Sequence, residues 1–162
     1  MKRHPSLHPL SEHHHHALIQ SLLIRRADAL PARERAKALR QKAREFLRFW
    51  KTAGRKHFRE EEEILLHAYA RHVRIDRDSY VVRMLADHAA IRARFAVLAE
   101  KLAAREDVEA EIRALGKMLR DHVRLEEDHI FPRIEAALGE AGLATLARSF
   151  SRLHGRGKQC KV

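Results

Sequence analysis

Two stretches of this chain set a histidine and a glutamate four residues apart, His57 with Glu61 and His122 with Glu126. Residues at that separation lie one above the other on an α-helix, so an imidazole and a carboxylate can reach one metal ion or two adjacent ones. A single pair of this kind is weak evidence among 13 histidines and 22 acidic residues. His8 and Glu12 form another such pair, but it straddles Pro9. The agreement between the first two is longer: His57-Phe-Arg-Glu-Glu61-Glu62 is echoed by His122-Val-Arg-Leu-Glu126-Glu127.

Both pairs interrupt apolar stripes. Leu39, Ala43, Phe46, Trp50 and Ala53 recur at helical spacing, meet His57 and Glu61, and are succeeded by Ile64 and Leu65. Leu115 and Leu119 lead in the same way to His122 and Glu126 and then Ile130, and a third stripe holds His88 between Leu85 and Ile91. Burying a carboxylate without compensation costs several kcal/mol, so three helices that each turn polar groups inward need a common partner. A cation between them supplies one; a buried ion-pair network is the blander reading.

A further candidate is the run His13-His14-His15-His16. It is too short and too closely embedded in a helical pattern to be an appended affinity tag. A helix turns about 100° per residue, so only one or two of the four can face inward. His14 and His15, four and three residues before Leu18, are the candidates, and periodicity does not separate them. His67 and His72 are expected at a helix end, His129 in packing, and Glu60, Glu63 and Asp128 on solvated flanks.

The elements that must position these groups are helices. Residues 1–9, with Pro5 and Pro9, are expected to form an extended lead-in. Ser11 can cap a helix over 12–29 with Leu18, Ile19 and Leu22 on its apolar stripe, and Pro31 ends it. A second helix is predicted over 32–69, weakened at Gly54. Asp78 or Ser79 can cap a third, whose Val81, Met84, Leu85, Ile91, Phe95, Leu98 and Leu102 fall at three- and four-residue steps. A fourth is predicted from about Asp107 to a stop at Gly139, with Pro132 bending it beyond His122 and Glu126, and a short fifth over 143–153. The pattern predicts an all-α antiparallel up-down four-helix bundle over 10–153 with a short additional C-terminal helix, and a basic tail over 154–162.

Composition fits that scheme. The chain has 162 residues, 34% of them charged and 6% aromatic, with only 6 glycines and 4 prolines, which favours helices over sheets. No apolar run approaches the ~20 residues of a membrane span, and Met1-Lys2-Arg3 is followed by His and Pro rather than by an apolar signal segment, so a cytoplasmic protein is expected. The single Cys160 excludes an intrachain disulfide, iron-sulfur ligation and a Cys-based zinc site. The net charge of +11 raises the alternative of nucleic-acid binding, but the excess is concentrated over 25–59 at helical spacing, as on a solvated helix face. No phosphate-binding loop or nucleophile triad is present.

Taken together, Leu10-Ser-Glu-His-His-His-His-Ala-Leu18, His57-Phe-x-x-Glu-Glu62, Leu85-Ala-Asp-His88 with Ile91-Arg92, and His122-Val-x-x-Glu-Glu127 before Phe131-Pro132 resemble the hemerythrin-like family of His-His-Glu cation-binding domains. The resemblance covers about 10–135. It implies a four-helix bundle with a non-haem di-iron centre, two iron ions bridged by carboxylates and by an oxo or hydroxo group, and other divalent metals as substitutes. Carried over position by position, it implies His14 or His15, His57, Glu61, His88, His122 and Glu126 as metal ligands. It also implies a small diatomic ligand, O2 or NO, bound or sensed, or a role in iron handling; a di-iron redox enzyme is the alternative. One position departs from the oxygen carriers, which have a second histidine four residues after the first on helix three. Arg92 stands there, a poor ligand expected to turn toward solvent or a carboxylate and to leave one iron short of a donor, unless water, His15, Glu62 or Glu127 fills the gap.

Overall fold

The computed structural model describes residues 3–156, and among them there is no strand. Helix α1 (His8–Asp28) follows a 3-10 turn over Pro5–Leu7. The two prolines do not make an extended lead-in; each stands in a first turn, where its missing N–H would have no partner anyway. Ser11 therefore lies inside α1 and caps nothing; its hydroxyl donates to Glu127.

The inward stripe of α1 also differs from expectation. Leu10, His14, Ala17, Ser21 and Ile24 are buried, whereas Leu18, Ile19 and Leu22 are 36–41% exposed. Two of these inward residues, Ala17 and Ser21, are small, and α6 (Glu109–Leu125) packs closely on the stripe, where a Cβ on its Gly116 would stand 3.3 Å from Cδ1 of Ile24.

The predicted second helix is one long rod made of α2 (Ala32–Phe49), a π-helical turn (Trp50–Gly54), α3 (Arg55–Glu60), a second π-turn (Glu61–Leu65) and α4 (Leu66–Tyr69). Each π-turn adds a residue to a turn and moves the following side chains round the helix. After Glu61 the buried pair is accordingly Leu65 and Leu66, one residue later than the expected Ile64 and Leu65. The third rod, α5 (Ser79–Ala103), is capped by Asp78, whose Oδ1 accepts from the amide of Tyr80 at 3.0 Å while Oδ2 accepts from the Tyr69 hydroxyl at 3.1 Å. Its Leu85 is exposed rather than buried. The fourth rod joins α6, a π-turn (Glu126–Ile130) and α7 (Phe131–Arg156), which kinks where Gly139 takes a φ of 57°. Residues 157–162 of the expected basic tail lie outside the described residues.

The rods form a helical bundle: α1 packs on α2 and α6, and α5 packs on the same two. Two apolar clusters fill it, one around Phe46, Trp50, Phe95 and Ile112, the other around Leu10, Met84, Phe131 and Leu146. Every rod passes from one cluster to the other through polar residues: His14 lies between Ala17 and Leu10, His57 and Glu61 between Trp50 and Leu65, His88 between Ile91 and Met84, His122 and Glu126 between Leu119 and Ile130. No described helix is long and apolar enough to cross a membrane.

Trp50 ties the first cluster to this polar layer. Its ring stacks on Phe95 with centroids 4.5 Å apart and meets Phe58 edge-on, and Phe58 stacks on the His88 imidazole at 3.7 Å. A Cβ on Gly54 would lie 2.5 Å from the Trp50 ring, which is wedged between Phe58 and Phe95 and cannot yield. Alanine gains about 1 kcal/mol of helix propensity over glycine, but overpacking a core costs roughly 1–3 kcal/mol. Gly54→Ala should therefore lower the unfolding midpoint and perturb the fluorescence of Trp50, the only tryptophan; an unchanged spectrum with a raised midpoint would contradict this packing.

Candidate metal centre

At the middle of the bundle Glu61 and Glu126 project toward each other from the first residues of two π-turns, both completely buried. Around them stand one histidine from each rod. His57 Nε2 is 3.2 Å from Glu61 Oε1, and His122 Nε2 is 3.0 Å from Glu126 Oε1, each across one helical turn. His14 Nε2 is 3.1 Å from Glu126 Oε2 and 3.5 Å from Glu61 Oε1; His88 Nε2 is 3.4 Å from Glu61 Oε2 and 3.6 Å from Glu126 Oε1.

The donors fall into two sets that share both carboxylates: His14, His57, Glu61 and Glu126, and Glu61, His88, His122 and Glu126, the donor atoms of each set lying within 4.8 Å of one another. The Nε2 atoms of all four histidines and all four oxygens of the two glutamates are buried without a hydrogen-bond partner. These eight atoms are close together yet not aimed at each other as donor and acceptor, which in a folded core demands a reason. A pair of cations between them meets it, and neutral imidazole with carboxylate oxygen is a donor set suited to iron, manganese or zinc. The residues present therefore fit two metal ions. Both sets hold two imidazoles and two carboxylates, so the arginine at position 92 leaves neither side with fewer protein donors.

A second layer orients the first. His88 Nδ1 donates to Glu62 Oε1 at 2.7 Å, and His14 Nδ1 donates to Glu127 Oε1 at 2.7 Å. Such a bond fixes the imidazole tautomer and leaves the Nε2 lone pair to face the centre. Each outer glutamate is gripped by an arginine: Arg92 Nη2 donates to both oxygens of Glu62 at 2.8 and 2.9 Å, and Arg3 donates to Glu127 Oε2 from Nη2 at 2.8 Å and from Nε at 3.2 Å. Each arginine lies over a phenylalanine ring that stacks on the same histidine, Arg92 over Phe58 beside His88 and Arg3 over Phe131 beside His14. The other two histidines are held more loosely. His57 Nδ1 lies 3.3 Å from His13 Nδ1, and His122 Nδ1 lies 3.9 Å from Asp87 Oδ2.

Of the histidines predicted for α1, the structure brings His14 to the centre, while His15 is exposed on the outer face because 100° of rotation separates them. His57, Glu61, His88, His122 and Glu126 all come together with it. Glu60, expected on a solvated flank, is buried with Lys56 Nζ at 3.4 Å and His13 at 3.8 Å. His129, expected in packing, is exposed and stacks on Tyr80. Glu62 and Glu127 face the outer nitrogens of histidines rather than the centre. The echo that places a second glutamate five residues after both His57 and His122 is the signal for that role; nothing in the pattern pointed to Arg3.

Without metal the site carries protons instead. Burial works against an imidazolium at His88, but the carboxylates of Glu126 and Glu61 overcome it and hold the group up at about 10; His14, buried against Glu126, Glu127 and Glu61, is also held well above an ordinary imidazole. Burial likewise works against the charge of Glu127, and His14, Ser11 and Arg3 outweigh it, holding the carboxyl down at about 2. A histidine whose folded value is raised stabilises the fold fully below its unfolded value of about 6.5, and that contribution drains away as pH rises through the folded value. The metal-free protein should therefore melt several degrees lower at pH 9.5 than at pH 6.5, and the metal-loaded protein should lose this alkaline decline. Thermal melts with and without chelator across that range check it; a metal-free midpoint that is flat or rises with pH would contradict the protonated site.

Comparison of the sequence with known protein families finds a match to the hemerythrin HHE cation-binding domain over residues 7–134 and 80–158. Comparison with curated proteins and with solved structures gives no match. The family description agrees with what the bundle holds at its centre, a nest of buried histidines and glutamates suited to cations, and the chain belongs to the hemerythrin HHE family.

Proposed function

We propose that this protein holds two iron ions between its four rods, Glu61 and Glu126 bridging them, His14 and His57 completing one side and His88 and His122 the other. The observation that carries the reading is the convergence of eight buried donor atoms that lack hydrogen-bond partners. In this reading the rods alternate up and down, which the short connections at 29–31 and 104–108 and the packing of α1 on α2 and of α5 on α6 support. A bound iron pair supplies reversible electron transfer and coordination positions beyond the four protein donors on each side. The chain's part is to hold the imidazoles of His14 and His88 in one tautomer, exclude water by the two apolar clusters, and keep the paired carboxylates ionised.

The physiological role proposed is binding or sensing of a small diatomic ligand, O2 or NO, or the handling of iron, in a reducing compartment such as the cytoplasm. An apolar cavity of about 20 Å3 favours the first. It is lined by Ala17, Trp50, His57, Phe58 and Leu119 and lies against the His57 side of the centre. A space of that size beside His57 suits a guest no larger than a diatomic molecule, in keeping with ligand binding.

Protein produced with iron should carry about two ions per chain, and chelation should lower its melting midpoint, because binding to the folded state alone adds to folding stability. Glu61→Ala and Glu126→Ala should each lose most of the metal and, with it, the difference between chelated and loaded melts. Full iron content in both variants would contradict the bridging assignment.

A further inference from the structure

The two halves of the centre have equivalent donors but differ in what holds their outer glutamates. Arg92 sits on α5 four residues after His88, so the helix that presents the histidine also presents the arginine that steadies its partner Glu62. On the other half the corresponding arginine is Arg3, which precedes every described helix and reaches Glu127 from the segment before α1, which packs on α7. We infer that residues 3–7 are a latch on the centre, in which Arg3 is a positioning residue that holds Glu127 against His14 and so sets how readily the ion on the His14–His57 side is released. The inference rests on the two-ion reading above.

Local backbone chemistry explains why an arginine is wanted at this place. In the π-turn over Glu126–Ile130 the amide of Phe131 goes to the carbonyl of Glu126, and the next residue, Pro132, has no amide to give. The carbonyl of Glu127 is thereby left without its helical donors, and Arg3 Nη2 supplies one at 2.6 Å. The same guanidinium bonds the Glu127 carboxylate and, through Nη1, Glu135 Oε1 at 3.4 Å. One planar cation thus satisfies a carbonyl and a carboxylate of the same residue, which the compact ammonium of lysine cannot match.

The segment behind Arg3 is anchored as a unit. Leu7 is fully buried, the Ser6 hydroxyl donates to the carbonyl of Leu143 at 2.9 Å, and the amide of His4 donates to Glu135 Oε1 at 2.9 Å. The Arg3 side chain is 18% exposed, against 40% for Arg92. Arg92 stays near Glu62 as long as α5 is folded, whereas Arg3 leaves Glu127 whenever the segment over 3–7 lifts from α7. Ser11 still donates to Glu127 at 2.8 Å, so an open latch weakens the orientation of His14 without abolishing it.

The test uses the full chain loaded with zinc, a diamagnetic stand-in, with 15N-labelled histidine, and follows the imidazole signals after a chelator is added. Arg3→Ala should speed loss of the zinc-bound His14 and His57 signals roughly tenfold or more, the usual scale for removing an outer partner of a ligand, and leave those of His88 and His122 unchanged. Arg92→Ala should do the reverse, and Arg3→Lys should fall between Arg3→Ala and wild type. Equal acceleration of both halves in Arg3→Ala, which a merely structural role would produce, or no acceleration at all, overturns the latch. A wild-type chain that takes up no zinc contradicts the two-ion reading and with it control of release. The metal-free chain then decides the positioning role alone: Arg3→Ala must speed exchange of the His14 Nδ1 proton with water and not that of His88, and equal exchange in wild type and variant overturns it.

Discussion

Two carboxylates, Glu61 and Glu126, face each other at the centre of an apolar bundle with no water-exposed surface between them. Each is costly to ionise there, and the charge of either makes the other costlier still. Such a pair persists in a folded core only if positive charge is placed between and around it. The rest of the polar architecture is arranged to do so in alternating layers. Four imidazoles surround the inner carboxylates, two outer carboxylates, Glu62 and Glu127, orient two of those imidazoles, and two arginines steady the outer carboxylates. Cations in the centre complete this alternation; in their absence, protons on His14 and His88 take over part of it.

The scaffold serves the same constraint. A regular α-helix through His57 and Glu61, continued into the second apolar cluster, would bring Ile64 and Leu65 inward; the π-turn that begins at Glu61 brings Leu65 and Leu66 instead. The turn that begins at Glu126 plays the same part, and with Pro132 it also opens the carbonyl that Arg3 fills. The aromatic side chains knit the layers together. Phe58 lies against Trp50, His88 and Arg92, and Phe131 against His14 and Arg3, so that packing of the two hydrophobic clusters and orientation of the ligand histidines are one structural problem.

Much of this was legible in the sequence because its strongest signals are local. Helix lengths, the Asp78 cap and the break at Gly139 follow from periodicity and termination chemistry, and the polar interruption of three apolar stripes located the groups that meet in the core. The inward face of α1 is not legible from bulk, because Ala17 and Ser21 are buried there while Leu18, Ile19 and Leu22 face outward. For the same reason periodicity does not separate His14 from His15. π-Turns leave no trace in a count of three- and four-residue steps, since an extra residue shifts the stripe by less than the tolerance of the pattern. The outer layer is half visible: the second glutamate repeats after each pair, but its partners lie on other rods, and a contact between residues 3 and 127 has no local signature at all.

The central claim, that the buried carboxylate pair exists to hold two metal ions, is tested most directly by anomalous diffraction from crystals of protein loaded with ferrous iron. Two peaks are predicted inside the bundle, both within coordination distance of Glu61 and Glu126, one also beside His14 and His57 and the other beside His88 and His122. A single peak there would contradict the two-ion claim, and peaks only at exposed histidines such as His15 and His16 with the centre empty would show that the buried cluster is an ion-pair network closed by protons.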